Sequence, residues 1–271
     1  MSIKSNRSIV ILLGIPGILV LTWLGGIAFG IFVLLVMILA LAEFYAIAKL
    51  KGYCPQQWTG LIAVLLIAYL FYFAPKLELF YIFVFCSVIV VLTLFYEMFR
   101  NKPNPTENFG ITLGGIFYLP LLLGTLISIR SFDTEHATNF TFALFIGVWI
   151  CDSAAFIAGK YFGTKKIYPR ISPNKTVVGS IAGLLFAFLT YIIMNMVGFV
   201  GFNLDTTQII LLSLITGIFG QAGDFAESLF KRDAKIKDSG SLLLGHGGVL
   251  DRFDSLSIAS PLVFIFLNYY Y

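Results

Sequence analysis

The sequence predicts an all-α polytopic membrane protein of about nine transmembrane helices with a cytoplasmic N-terminus. Three observations carry that expectation. Of 271 residues, 59% are hydrophobic and only 12% charged, and the mean hydropathy is +0.93, far above that of soluble domains. The apolar residues fall into runs of membrane-crossing length. The basic residues fall almost entirely between alternate runs.

In order, the expected spans lie near residues 8–23, 25–47, 57–74, 79–98, 109–129, 140–159, 178–201, 207–229 and 249–269. The first two are separated only by Trp23, Gly25 and Gly26, and Pro16 interrupts the first. Lys4 and Arg7 ahead of an apolar run imitate a signal peptide, but further spans follow at once, so an uncleaved first helix is expected. Each run should be helical, because lipid offers the backbone no hydrogen-bond partner and the alternation of a β-barrel is absent from the sequence.

With nine spans, the N-terminus and the segments after spans 2, 4, 6 and 8 share a side, which holds 15 of the 18 Lys and Arg residues. The opposite side holds Lys76 and Arg130, and Arg252 stands at the mouth of the last span. That asymmetry is what the positive-inside rule demands of a cytoplasmic N-terminus.

The same charge distribution bears on function. A net charge of +4 with no basic stripe interleaved with aromatics argues against nucleic acid as a partner. Cys54, Cys86 and Cys151 are odd in number and widely spaced, which makes neither a disulfide framework nor a zinc site. The 28 Phe and 13 Tyr residues read as lipid-facing and interfacial surface.

Chemistry is expected where acids enter the apolar runs: Glu43, Asp152, Asp224, Glu227, Asp251 and Asp254. Four uncompensated carboxylates at mid-bilayer would cost about 10 kcal/mol, so interfacial depth, a polar cavity or a cation must compensate them. "DFAESL" and "DRFDSL" each place two carboxylates three residues apart, on one helical face: Asp224 with Glu227, and Asp251 with Asp254. Two such pairs on joined helices suit a hard divalent ion, Mg2+ above all. Salt bridges to Lys231, Arg232 and Arg252 are the plainer use of the same acids. Glu43, near Lys49 and Lys51, reads as a structural acid at the interface.

Between the pairs run Lys231, Arg232, Lys235, Lys237 and Asp238, then "SGSLLLGHGG". Lysine and arginine neutralise phosphates. Gly245, Gly247 and Gly248 allow close backbone approach, and Gly248 precedes a helix N-terminus suited to an anion. A second polar island, "KYFGTKKIYPRISPNKTVVGS", follows Asp152; Pro169 and Pro173 exclude a regular helix there, and Ser172, Asn174, Lys175 and Thr176 are compact phosphate or ribose partners. A plain cytoplasmic loop ending on glycines is the simpler reading of either island. The role of His246 does not follow from its setting.

The stretch from Ser228 through Lys231, Arg232, Lys237, Asp238, His246, Gly247, Gly248, Asp251 and Arg252 to Asp254 resembles, in order and spacing, the signature of the phosphatidate cytidylyltransferases, also called CDP-diacylglycerol synthases. "SPNKTVVGS", Asp152 and "GKYFG" resemble the segments that precede that signature. Leu244, Asn174 and Val178 depart from it, standing where the family usually has Pro or Gly, Lys, and Glu. The resemblance implies transfer of CMP from CTP to phosphatidate, giving CDP-diacylglycerol and pyrophosphate in phospholipid biosynthesis, with Mg2+. It implies catalytic roles for Lys231, Arg232, Lys237, Asp238 and His246. Substrate contacts would come from Asp152, Ser172, Asn174, Lys175, Thr176, Glu227, Gly247, Gly248 and Arg252, and the metal would sit on Asp224, Asp251 and Asp254. CTP, phosphatidate and membrane lipid are the expected partners, with the site on the cytoplasmic side of the inner (cell) membrane.

Residues 141–271 are accordingly expected to form the catalytic region, and 1–140 a lipid-facing or oligomerisation region that could support a homodimer. A CTP- or ATP-dependent lipid or polyprenol kinase would need similar residues. A cation-coupled transporter would place its acids near mid-bilayer on several helices and show inverted repeats.

Overall fold

The computed structural model describes residues 3–74, 79–133, 135–201, 203–242 and 247–271, with side chains omitted for 3–13 and 79. The chain is helical almost throughout. The elements are α1 (Ile3–Leu24), α2 (Gly26–Leu50), α3 (Gln57–Phe73), α4 (Leu79–Arg100), α5 (Pro105–Tyr118), α6 (Pro120–Ser131), α7 (Ala137–Phe162), α8 (Val177–Met196), α9 (Thr206–Leu214), α10 (Gly220–Asp233) and α11 (Leu250–Tyr270). Among the described residues there is no strand, only one isolated antiparallel bridge between Lys166 and Thr176.

Among the described residues, six helical segments are long and apolar enough to cross a membrane: Gly26–Leu50, Phe80–Arg100, Pro105–Ser131, Ala137–Phe162, Val177–Met196 and Thr206–Asp233. The other three expected spans are also helical but are not among them: in α1 only Gly14–Leu24 carries described side chains, and α3, with 17 residues, is short of that length. The first half of α11 carries Asp251, Arg252, Asp254, Ser255, Ser257 and Ser260.

Two irregularities were not expected. The fifth run is broken at Leu119, because Pro120 has no N–H to continue the ladder and starts α6 instead. The eighth is interrupted by a π-turn, Ile215–Phe219, that joins α9 to α10. Such wide turns concentrate at functional sites, and this one ends five residues before Asp224.

Most of the long helices bury large apolar side chains in a common core, in which Met37, Ile67, Ile116, Leu123, Phe145, Tyr191, Ala259 and Val263 are among the fully buried members. One polar network inside it is fully paired. Gln56 donates to Glu97 at 2.7 Å, Asn108 donates to Glu97 at 3.1 Å, and Arg100 closes an ion pair with Glu97 at 2.8 Å. This network ties the start of α3 to the end of α4 and the start of α5.

Glycine sets the closest helix approach. A Cβ on Gly159 would meet Thr176 Oγ1 at 3.0 Å, and one on Gly179 would meet the Ala155 carbonyl at 2.6 Å. On Gly183 it would meet Cys151 at 3.0 Å. Small residues four apart therefore bring α7 and α8 into near-backbone contact, the usual way for helices to pack in lipid. The irregular loop 163–176 is thereby held over α10, where Thr176 caps α8 by accepting from Gly179 N at 3.1 Å.

Candidate active site

Gly223 is where α10 and α11 meet. A Cβ there would lie 2.3 Å from the Asp254 carbonyl oxygen and 3.1 Å from Ser255 Cα, so the helices touch backbone to backbone. That contact brings the acids on either side of it together. Asp224, Glu227 and Asp254 each offer a carboxylate oxygen within 4.8 Å of the others.

The three carboxylates are unequally satisfied. Asp224 forms an ion pair with Lys175 at 2.7 Å and accepts from Ser228 Oγ at 3.3 Å. Asp254 Oδ1 accepts from Ser255 N at 2.7 Å. Glu227 is fully buried: its Oε2 faces Lys231 Nζ at 2.5 Å as an ion pair, and its Oε1 has no hydrogen-bond partner among the described residues. A buried carboxylate oxygen without a donor is costly. A cation held between it and the two neighbouring acids would remove that cost, and an all-oxygen set fits a hard divalent ion.

Beside this cluster stands a second network. Lys231, with 9% of its side chain exposed, bridges Glu227 and Asp251, each at 2.5 Å. The other oxygen of Asp251 accepts from Gly248 N at 2.7 Å, Ser239 N at 2.9 Å and Ser239 Oγ at 3.0 Å. Asp251 is thus occupied by a lysine and by the connector between α10 and α11, while Asp254, one turn on, faces the acid cluster.

The connector is clamped from α2. Glu43 Oε1 accepts from Val249 N at 2.9 Å, and its Oε2 accepts from Leu250 N and Ser239 Oγ, both at 2.8 Å. Val249 has no side-chain oxygen with which to cap α11, so Glu43 caps it from another helix. The anion that the sequence suggested for this helix end is therefore supplied by the chain itself, and these donors are engaged. The glycines serve the same packing: a Cβ on Gly248 would fall 2.2 Å from Glu43, one on Gly240 2.7 Å from it, and one on Gly247 2.4 Å from Asp251. Gly247 adopts φ +83°, a left-handed conformation suited to glycine.

The second polar island meets the site through Lys175, whose ammonium lies on Asp224 and 4.3 Å from the centre of the Phe225 ring. Asp152 is exposed and near enough to Asp224 and Lys175 to feel their charge. Arg232 lies outside the carboxylate cluster and holds backbone: its Nε donates to Ile171 O at 3.2 Å and its Nη1 to Ile236 O at 2.9 Å, tying loop 163–176 to α10. Thr176 is buried in its cap, Ser172 is half-buried, and Asn174, Lys237, Asp238 and Arg252 are exposed. His246, with Leu244 and Gly245, lies outside the described residues. Beyond the acid cluster, Lys51 pairs with Asp233, fastening the end of α2 to the end of α10.

A sequence model described as the cytidylyltransferase family matches residues 5–270. The chain belongs to that family. Among curated relatives, a protein named phosphatidate cytidylyltransferase from Staphylococcus haemolyticus (strain JCSC1435) is 48% identical over 123 residues, covering 45% of this chain and 46% of the relative. One of the same name from Bacillus subtilis (strain 168) is 36% identical over 179 residues, 66% of this chain and 65% of the relative. A third, from Staphylococcus aureus (strain COL), is 46% identical over 123 residues. The matched stretch thus spans under half of each staphylococcal protein and 65% of the Bacillus one. Within this cytidylyltransferase frame, sequence reasoning found Asp224, Glu227, Lys231, Asp251, Asp254 and Lys175, which the structure gathers. It missed Ser239 and gave Glu43 no part at the site; the signal for Glu43 was an acid four residues inside the end of the expected span 25–47, which needs an internal partner.

Proposed function

We propose that this protein transfers the cytidylyl group of CTP to phosphatidate, releasing pyrophosphate, at the cytoplasmic face of the membrane, with nine spans and a cytoplasmic N-terminus. The observation that carries the reading is the buried carboxylate of Glu227, unpartnered at Oε1, beside Asp224 and Asp254 and flanked by Lys231 and Lys175, in a chain of the cytidylyltransferase family. Relatives named phosphatidate cytidylyltransferase support the substrates, and the 15-to-2 distribution of basic residues supports the orientation.

In this reaction a phosphate oxygen of phosphatidate bonds to the α-phosphorus of CTP, and the bond from that phosphorus to the bridging oxygen of the β-phosphate breaks, so pyrophosphate departs with the electron pair. The phosphate monoester is already an anionic nucleophile, so the protein's task is to position two polyanions and neutralise charge. Asp224, Glu227 and Asp254 would hold Mg2+, which when bound supplies Lewis-acid neutralisation of phosphate oxygens. Lys175 stands at the rim of the acid cluster, where an ammonium can move from Asp224 to a phosphate. Lys231 bridges Glu227 and Asp251 and orients both. Loop 163–176 and the connector form the two sides of the CTP entrance, and phosphatidate arrives from the membrane.

Purified protein given CTP, Mg2+ and phosphatidate should release pyrophosphate in step with CDP-diacylglycerol, and Asp254→Asn should not. Release of a nucleoside diphosphate with a newly phosphorylated lipid, and no pyrophosphate, would instead identify a lipid kinase.

A further inference from the structure

The geometry points to Glu43 as a positioning residue for the site, one that acts from α2 through Ser239 on Asp251 and Lys231; this inference rests on the cytidylyl-transfer reading above. The path is continuous. Glu43 Oε2 lies 2.8 Å from Ser239 Oγ, Ser239 Oγ lies 3.0 Å from Asp251 Oδ2, and Asp251 Oδ1 lies 2.5 Å from Lys231 Nζ, which in turn faces Glu227 at 2.5 Å. Five side chains on three helices and one connector therefore form a single chain of contacts that ends at the acid cluster.

Its physical basis is the mismatch between what the connector needs and what it contains. The N-terminus of α11 exposes Val249 N and Leu250 N, and no residue of α11 or of the described connector caps them; Asp251 is turned to Gly248, Ser239 and Lys231. Glu43 takes both N–H groups with its two oxygens, and it fits only because Gly240 and Gly248 leave room on either side. The Ser239 hydroxyl has one proton, which it can give to Glu43 or to Asp251 but not in full to both, so it is the shared neighbour through which a shift of either carboxylate reaches the other. Without Glu43 the first turn of α11 would lose its acceptors, and Ser239, held then by Asp251 alone, would no longer be fixed from α2. Lys231 would then be free to follow Asp251 away from Glu227.

The test uses full-length protein in detergent and compares Glu43→Gln, Ser239→Ala and the double variant. Glu43→Gln keeps the shape but turns an amide NH2 toward a backbone N–H; Ser239→Ala removes only the hydroxyl and leaves Ser239's backbone bond to Asp251, so it serves if Glu43→Gln does not fold. Positioning predicts kcat lower by about 10- to 100-fold in each single variant, with KM for CTP changed by less than about 3-fold and the unfolding temperature kept. It also predicts that the double variant loses no more than the worse single one, because both act on one path. Losses that multiply, or an unchanged kcat, would overturn the inference. Should the wild type release no pyrophosphate, the functional reading falls by itself, and trypsin then decides about Glu43: cleavage after Lys235 and Lys237 at a wild-type unfolding temperature should be faster in both single variants, and an unchanged rate would end the proposal.

Discussion

At the scale of the residue, the site is organised by a conflict between burial and charge. Glu227 is wholly buried beside two further carboxylates, with a single lysine that it shares with Asp251. Replacing Glu227 by Gln removes repulsion and a poorly solvated charge while keeping the volume. In the presence of a chelator, Glu227→Gln should therefore unfold at a higher temperature than wild type, and its pyrophosphate release should fall by more than about 100-fold; scanning fluorimetry with EDTA and a pyrophosphate assay read the two effects. Lys231→Met should do the reverse to stability. It strands Glu227 and Asp251 without a cation, a loss on the order of 3–5 kcal/mol, seen as a lower midpoint on thermal or denaturant unfolding.

At the scale of the element, glycine determines which helices can share a site. A methyl at Gly223 would sit 2.3 Å from the Asp254 carbonyl, which cannot yield without moving α11. Gly223→Ala should thus separate Asp224 and Glu227 from Asp254, and abolish both turnover and the stabilisation that Mg2+ confers on unfolding. Gly110→Ala, on α5 with nothing within 4 Å of the added carbon, should leave both unchanged. These elements differ in how well the sequence announced them. Apolar length revealed the helices, since lipid allows little else, and the i, i+3 spacing of acids revealed Asp224 with Glu227. The break at Pro120 could have been anticipated from proline's missing N–H, whereas the π-turn leaves no such mark. The separation of Asp251 from Asp254 into two networks could not be read either, because it depends on Ser239 and Glu43, distant in sequence and joined only by packing.

At the scale of the whole molecule, the site draws on both ends of the chain. α2 supplies Glu43 and Lys51, the loop before α8 supplies Lys175, and α10 and α11 supply the acids. The proposed orientation is testable directly. A cysteine at Lys237 should react with a membrane-impermeant thiol reagent only from the cytoplasmic side, and one at Glu135, in the segment between α6 and α7, only from the other; labelling of both from one side would exclude an odd number of crossings between them. The π-turn at Ile215–Phe219 has a consequence of its own. Each residue of an α-helix advances the azimuth by about 100°, so the extra residue held in this wide turn acts as a phase shift between the two ends of one crossing. Deleting Ile218 would let α9 run into α10 as an uninterrupted helix with Asp224 and Glu227 aimed nearly as they are, because the wide turn spends one residue more on the same rotation; drawing the same residues into a regular α-helix would instead swing those carboxylates by about a quarter-turn. Two chains of equal span and hydropathy would then aim their carboxylates differently, a difference that no hydropathy profile would register.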